Sequence, residues 1–211
     1  MDKNEERLRK RREYLQRKKE FKRKTWSFVI GCGILFSAFL AFFVMQQETV
    51  QRTFMFPYHY REFVQESCRQ NDIDEYVVAA VIKTESNFKN NAKSNHGAVG
   101  LMQLMPETAA WIAGEMNDGD YTEAALNEPE TNIQYGSWYL SQLMRDFHGN
   151  KVLALAAYNA GRGNVEDWMN LYDWTYDFSD VSAIPFRETE MYVKSVLRYE
   201  TKYRQLYENE Q

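Results

Sequence analysis

The chain predicts a mainly α-helical protein, one helical domain preceded by a single transmembrane helix, and three observations carry that expectation. From Tyr58 onward the apolar residues recur at helical rather than alternating spacing, and no run reads as a strand. Residues 26–45, WSFVIGCGILFSAFLAFFVM, contain no charge and no proline, which is about the length a helix needs to cross the hydrocarbon core of a bilayer. Residues suited to helix starts (Asp72, Asp74, Pro106, Pro129) and helix stops (Gly149, Gly161) punctuate the remainder.

The 211 residues and 44% apolar content suit one globular domain with appendages. Charge is strongly asymmetric. Residues 1–25 carry twelve Lys/Arg against five Asp/Glu, and residues 46–211 carry fourteen against twenty-five. The basic flank RLRKRREYLQRKKEFKRK lies where the positive-inside rule expects a cytoplasmic segment, so the N-terminus stays in and the acidic portion goes out. The expected parts are a basic cytoplasmic segment at 1–25, a transmembrane helix at 26–45, a connector at 46–57 and a domain at 58–211.

A cleavable signal peptide would have a shorter apolar region and a small-residue cleavage site, whereas Phe42, Phe43, Val44 and Met45 end this one. A lipoprotein reading could use VIGC before Cys32, but the apolar residues lie mostly after that cysteine. The basic arm could bind nucleic acid; five acids within it and its place against a membrane span favour topology and contact with anionic lipid. Cys32 falls inside the span and Cys68 outside it, so no disulfide framework follows. His59, His96 and His148 are scattered without metal-ligand spacing, and neither metal nor cofactor is expected.

The connector QQETVQRTFMFP, fully extended, would reach at most about 40 Å. A first domain helix is expected over about 58–70. A second begins near Asp72 or Asp74 and runs through EYVVAAVIKTE; either aspartate can cap its free N–H groups. A third starts at Pro106, a fourth near Pro129, and a fifth, KVLALAAYNAG, stops at Gly161. Shorter helical turns should follow around NVEDWMNL, and a last helix should cover about 187–207.

The second helix carries the chemistry. At 100° per residue Val78, Val81, Ile82 and Glu85 share one stripe, with Glu85 only about 20° from Val78. Burial of that carboxylate would disfavour its charged form and raise its pKa, as a general acid requires. Helix geometry alone equally allows Glu85 to mark a frayed helix end that points to water. A long polar loop, NFKNNAKSNHGAVG, comes next, and Gly97 and Gly100 bracket backbone that can come close to a ligand. Met102 and Gln103 then offer a flexible apolar surface and an amide; plain core packing is the competing reading for Met102, Leu104 and Met105.

Four blocks in order carry a resemblance: the Glu85–Phe88 pattern ES.F, GAVGLMQLMP at Gly97–Pro106, AYNAG at Ala157–Gly161, and IPFRETEMYV at Ile184–Val193. Together they resemble the soluble lytic transglycosylase (SLT) domain family, related to goose-type lysozyme, over roughly residues 60–205. The resemblance implies a lysozyme-like helical fold with a groove for peptidoglycan glycan strands. By position it makes Glu85 the catalytic acid, with Ser86 near the glutamate or the sugar. Met102 and Gln103 would line the cleft, Tyr158 and Asn159 would contact substrate, and Tyr192 would face the carboxylate. Glu188 belongs to the last block. Two positions depart from the family's common prolines, Asn90 and Arg162, both in loops.

Common retaining and inverting glycosidases need a second carboxylate. None accompanies Glu85 in its motif, and Glu107, Asp118 and Asp120 sit in solvated-looking contexts. The resemblance implies a reaction that manages with one: Glu85 protonates the oxygen between N-acetylmuramic acid and N-acetylglucosamine, then takes the proton of the muramic C6 hydroxyl as a 1,6-anhydro ring closes. The competing readings are a muramidase that uses water and a non-catalytic wall-binding protein recruiting a secretion, conjugation or sporulation assembly. The expected location is the bacterial cell membrane, single-pass, with the domain outside.

Overall fold

The computed structural model describes residues 3–210, so the outermost ends of the expected 1–25 and 58–211 segments, at 1, 2 and 211, lie outside the described residues. The chain divides into two units between Met55 and Phe56.

The first unit is dominated by α1 (Lys3–Met45), in which the basic flank and the apolar segment form one uninterrupted helix. Its stretch Arg11–Met45 is long and apolar enough to cross a membrane by length and composition, and no part of its most apolar window is buried by protein. The connector is not extended. It coils into α2 (Glu48–Val50) and a π-helical turn at Gln51–Met55, so its span is well short of the extended limit.

In the second unit α3 (Arg61–Asn71), α4 (Glu75–Glu85), α5 (Pro106–Met116), α6 (Pro129–Asp146), α7 (Lys151–Ala160), α8 (Arg162–Leu171) and α9 (Arg187–Tyr207) build a helical domain. Among the described residues there is no strand, only isolated bridges pairing Val99 with Lys93 and with Leu104. The second unit begins at Phe56. Tyr207 donates to the Phe56 carbonyl at 2.8 Å and Tyr203 to the Pro57 carbonyl at 3.0 Å, while the Phe56 ring meets Tyr199 and Tyr203 edge-on.

Helix α4 is the central element. Asp74 caps it, accepting from the Tyr76 N–H at 2.8 Å, and also pairs with Arg204 of α9. Every residue from Tyr76 to Ile82 is buried, so the single apolar stripe expected from the sequence becomes a helix surrounded on all sides, packed most extensively on α9. Pro106 and Pro129 open α5 and α6 as first-turn residues. Gly161, at φ 91°, ends α7 and at once precedes α8, a ten-residue helix where only short turns were expected.

Candidate active site

Glu85 is the last residue of α4, and the chain reverses directly after it. Asn87 and Phe88 adopt positive φ of 52° and 61°, which throws Phe88 back under the helix, where it is buried against Tyr58, His59 and Tyr203. This turn holds Glu85 inside the structure instead of letting the helix end fray. Over the whole residue Glu85 is half-buried, but its carboxyl end is the shielded part. Loss of water around the carboxylate pushes its pKa up to about 7, and the Tyr192 phenol opposes part of that rise.

Two tyrosines face it. The phenols of Tyr158 and Tyr192 are both enclosed, and burial followed by the nearby Glu85 charge raises both well above the usual tyrosine range. Tyr158, from α7, donates to the Met102 carbonyl at 2.8 Å. The Tyr192 hydroxyl, from α9, is buried, and its interaction with Glu85 favours the charged carboxylate.

The loop between α4 and α5 is held by a small set of buried contacts. Fully buried Asn132 of α6 accepts from the Met102 N–H at 2.8 Å and donates to the carbonyls of Val99 at 3.0 Å and Leu126 at 2.9 Å. Gly100 sits against that amide at φ 84°, and a Cβ there would come within 2.1 Å of Asn132 Nδ2. Its glycine therefore serves the approach of Asn132, where the sequence suggested the approach of a ligand. Gly97, at φ 94°, turns the loop in open space.

The other expected site residues divide by their placement. Met102 is fully buried, its side chain seated where Gly136 of α6 has no Cβ; a methyl there would meet its sulfur at 2.4 Å. Its side chain packs between the loop and α6. Gln103, at φ 48°, donates its amide to Gly100 O at 2.8 Å and Ala92 O at 3.1 Å, so it clamps the loop. The Ser86 hydroxyl donates to Ile82 O at 3.1 Å, back into its own helix, and not to Glu85. Asn159 Oδ1 accepts from Thr189 Oγ1 at 2.8 Å, tying α7 to α9. Glu188 is exposed in the first turn of α9, where a carboxylate favours the helix N-terminus, and no recorded contact brings it to Glu85.

Asn132, Gly136 and Thr189 do structural work around the site that the sequence reading missed. A polar Asn132 in register with Gly136 and Tyr139 on the inward side of α6 was the available signal.

Comparison with known proteins matches this geometry to a described group. The transglycosylase SLT domain signature spans residues 62–179. The soluble lytic murein transglycosylase of Salmonella typhimurium is 40% identical over 151 residues, 71% of this chain and 23% of that protein. The membrane-bound lytic murein transglycosylase C of Sodalis glossinidius is 31% identical over 115 residues, covering 50% of this chain and 32% of that protein. Among solved structures, an inactive variant of the lytic transglycosylase Slt from Pseudomonas aeruginosa superposes with a TM-score of 0.67 at 34% identity over 74% of this chain and 25% of that one. The 70 kDa soluble lytic transglycosylase of Escherichia coli does so with 0.66 at 35% identity, over 71% and 25%. The chain thus spans about a quarter of the length of the soluble relatives. Through its second unit, the chain belongs to the transglycosylase SLT domain family.

Proposed function

We propose that the chain is a membrane-anchored peptidoglycan lytic transglycosylase that cleaves the MurNAc-β-1,4-GlcNAc bond and leaves 1,6-anhydro-MurNAc ends. One observation carries this reading: Glu85 is a lone shielded carboxyl group with a pKa near 7, perturbed only by burial and by a tyrosine, with no second carboxylate acting on it. Proteins named lytic murein transglycosylases share the domain.

In this mechanism protonated Glu85 gives its proton to the bridging oxygen as the bond to muramic C1 breaks. The substrate's own N-acetyl carbonyl stabilises the cationic sugar. The Glu85 carboxylate then takes the C6 hydroxyl proton while O6 bonds to C1, so no water is consumed and the enzyme ends protonated. A group near pKa 7 suits both halves of that cycle. Tyr192 would hydrogen-bond the carboxylate form, Tyr158 would hold the Met102 backbone, and the free Asn159 amide N–H groups would meet substrate. Ser86 and Gln103 act mainly through the backbone they fasten, and Glu188 belongs to the exposed approach. The N-terminus is cytoplasmic, α1 makes the single pass, and the second unit is extracytoplasmic.

The test is digestion of purified sacculi by the full chain in detergent, with mass analysis of the products. Anhydro ends, one water lighter than reducing ends and lost in Glu85→Gln, are expected. Reducing ends on every product would make the chain a muramidase, and undiminished cleavage by Glu85→Gln would remove Glu85 from the chemistry.

A further inference from the structure

Two neighbouring side chains of α7 meet the site differently. Tyr158 reaches the Met102 carbonyl and has the Glu85 charge beside it, whereas Asn159, half-buried near the end of α7, reaches α9. There its Oδ1 accepts from Thr189 Oγ1 at 2.8 Å. Thr189 stands three residues before Tyr192, about 4.5 Å along the α9 axis, so the pair lies within one turn of the residue whose phenol acts on Glu85.

The direction of this hydrogen bond decides how the amide is held. Thr189 is 2% exposed, so solvent does not take its hydroxyl proton. A buried hydroxyl needs an acceptor, and Asn159 Oδ1 is the one it has. Rotating the amide by half a turn would bring Nδ2 to the hydroxyl and leave the hydroxyl proton without an acceptor. The bond therefore fixes which end of the amide faces the protein. Nδ2 has no protein acceptor among the described residues and is not enclosed, so its N–H donors remain for a ligand.

We propose that Thr189 is a positioning residue: it holds Asn159 with its donors outward, and this one bond sets which substituent of the glycan is accepted there. The inference rests on the murein-glycan reading of the site and deepens it. Sugar hydroxyls answer either orientation of an amide, because they both donate and accept. An acetamido carbonyl only accepts, and a free amino group, once protonated, only donates. Asn159 locked in this way pairs with an N-acetyl group and meets a de-N-acetylated sugar donor to donor. An amide free to rotate would offer Oδ1 to the ammonium and lose the distinction.

The test measures binding without turnover. The full-length Glu85→Gln chain in detergent is titrated calorimetrically with a peptide-free murein tetrasaccharide and with the same tetrasaccharide stripped of its acetyl groups, in mildly acidic buffer where the free amines are protonated. The acetylated ligand should bind about tenfold more tightly, the scale of one well-made hydrogen bond. Adding Thr189→Val, close in shape but without the hydroxyl, should lower affinity for the acetylated ligand about tenfold and leave the stripped one level or stronger. Thr189→Ser should keep the preference, and Asn159→Asp, which still accepts from Thr189 but has no donor, should reverse it. If Thr189→Val weakens both ligands equally, Thr189 is a packing residue; if it weakens neither, Thr189 has no part in binding. Either result overturns the inference while glycan binding stands. No binding of the acetylated ligand by the Glu85→Gln chain would overturn the glycan reading and the inference together. Where Thr189→Val does not fold, the other two variants decide, since a preference kept by Asn159→Asp or lost by Thr189→Ser refutes the fixed orientation.

Discussion

The Met102 N–H donates to Asn132 Oδ1 at 2.8 Å across thirty residues of sequence, and through that bond helix α6 holds the loop that follows Glu85. The same amide serves Val99 O and Leu126 O, so one buried side chain satisfies three backbone groups. Asn132→Leu should strand all three in an apolar setting, at about 1–3 kcal/mol for each. Urea unfolding should show a loss of at least about 3 kcal/mol, with cell-wall cleavage falling in parallel. Gly100→Ala should be similarly damaging, because a methyl would strike Asn132 and the residue would be held at φ 84°.

Tyr158 closes the loop from the other side. Tyr158→Phe keeps the ring against Tyr139 but leaves the Met102 carbonyl without its 2.8 Å donor. Stability should fall by about 1 kcal/mol in thermal denaturation. Turnover should fall further than stability alone explains, because the wall beside Glu85 loses its anchor.

Local signals made most of the fold legible. Asp74, Pro106, Pro129 and Gly161 mark helix boundaries by short-range backbone chemistry, and each lies at the boundary it marks. Glu85 was readable because helical phase tied it to Val78. Long-range relations escaped: Met102 stands near the glutamate motif in sequence, and only the missing Cβ of Gly136, thirty-four positions on, shows why its side chain is buried. The coiling of 48–55 was also hidden, since QQETVQRTFM has no strong helix punctuation. Phe56 and Pro57 join the domain through tyrosine hydroxyls from its far end, a contact that no local pattern signals.

Glu85 links stability to pH with a definite sign. Its folded-state pKa, about 7, lies above the ordinary 4.5, so the folded chain holds this proton more tightly than the unfolded one. The stabilisation from keeping it neutral is complete below about pH 4.5 and is lost as pH rises through about 7. Glu85→Gln carries no such liability. It should match the parent near pH 4 and exceed it at pH 8 by on the order of 2–3 kcal/mol, measured as denaturant midpoints across that range.

The proposed orientation predicts an asymmetric proteolysis pattern. Protease added to intact protoplasts should remove the second unit and spare the basic arm, whereas protection of the second unit would reverse the assignment. The twelve Lys/Arg before the apolar segment are the reason to expect this outcome.

Tyr192 offers the sharpest separation of a chemical role from a packing role. Its buried hydroxyl acts on the Glu85 carboxylate as a hydrogen-bond donor and lowers the Glu85 pKa against the larger upward push of burial. Tyr192→Phe removes the opposing effect, so the Glu85 pKa should rise further. Because the proposed reaction begins with protonated Glu85, the alkaline limb of kcat/KM should move to higher pH. The later step, in which the carboxylate collects the C6 proton without a phenol to stabilise it, should lower kcat at every pH. Stability should fall by no more than about 1 kcal/mol, the net worth of one hydrogen bond. A residue that only filled space would lower activity without moving the pH midpoint, so an unmoved alkaline limb would place Tyr192 in the packing and leave Glu85 tuned by burial alone.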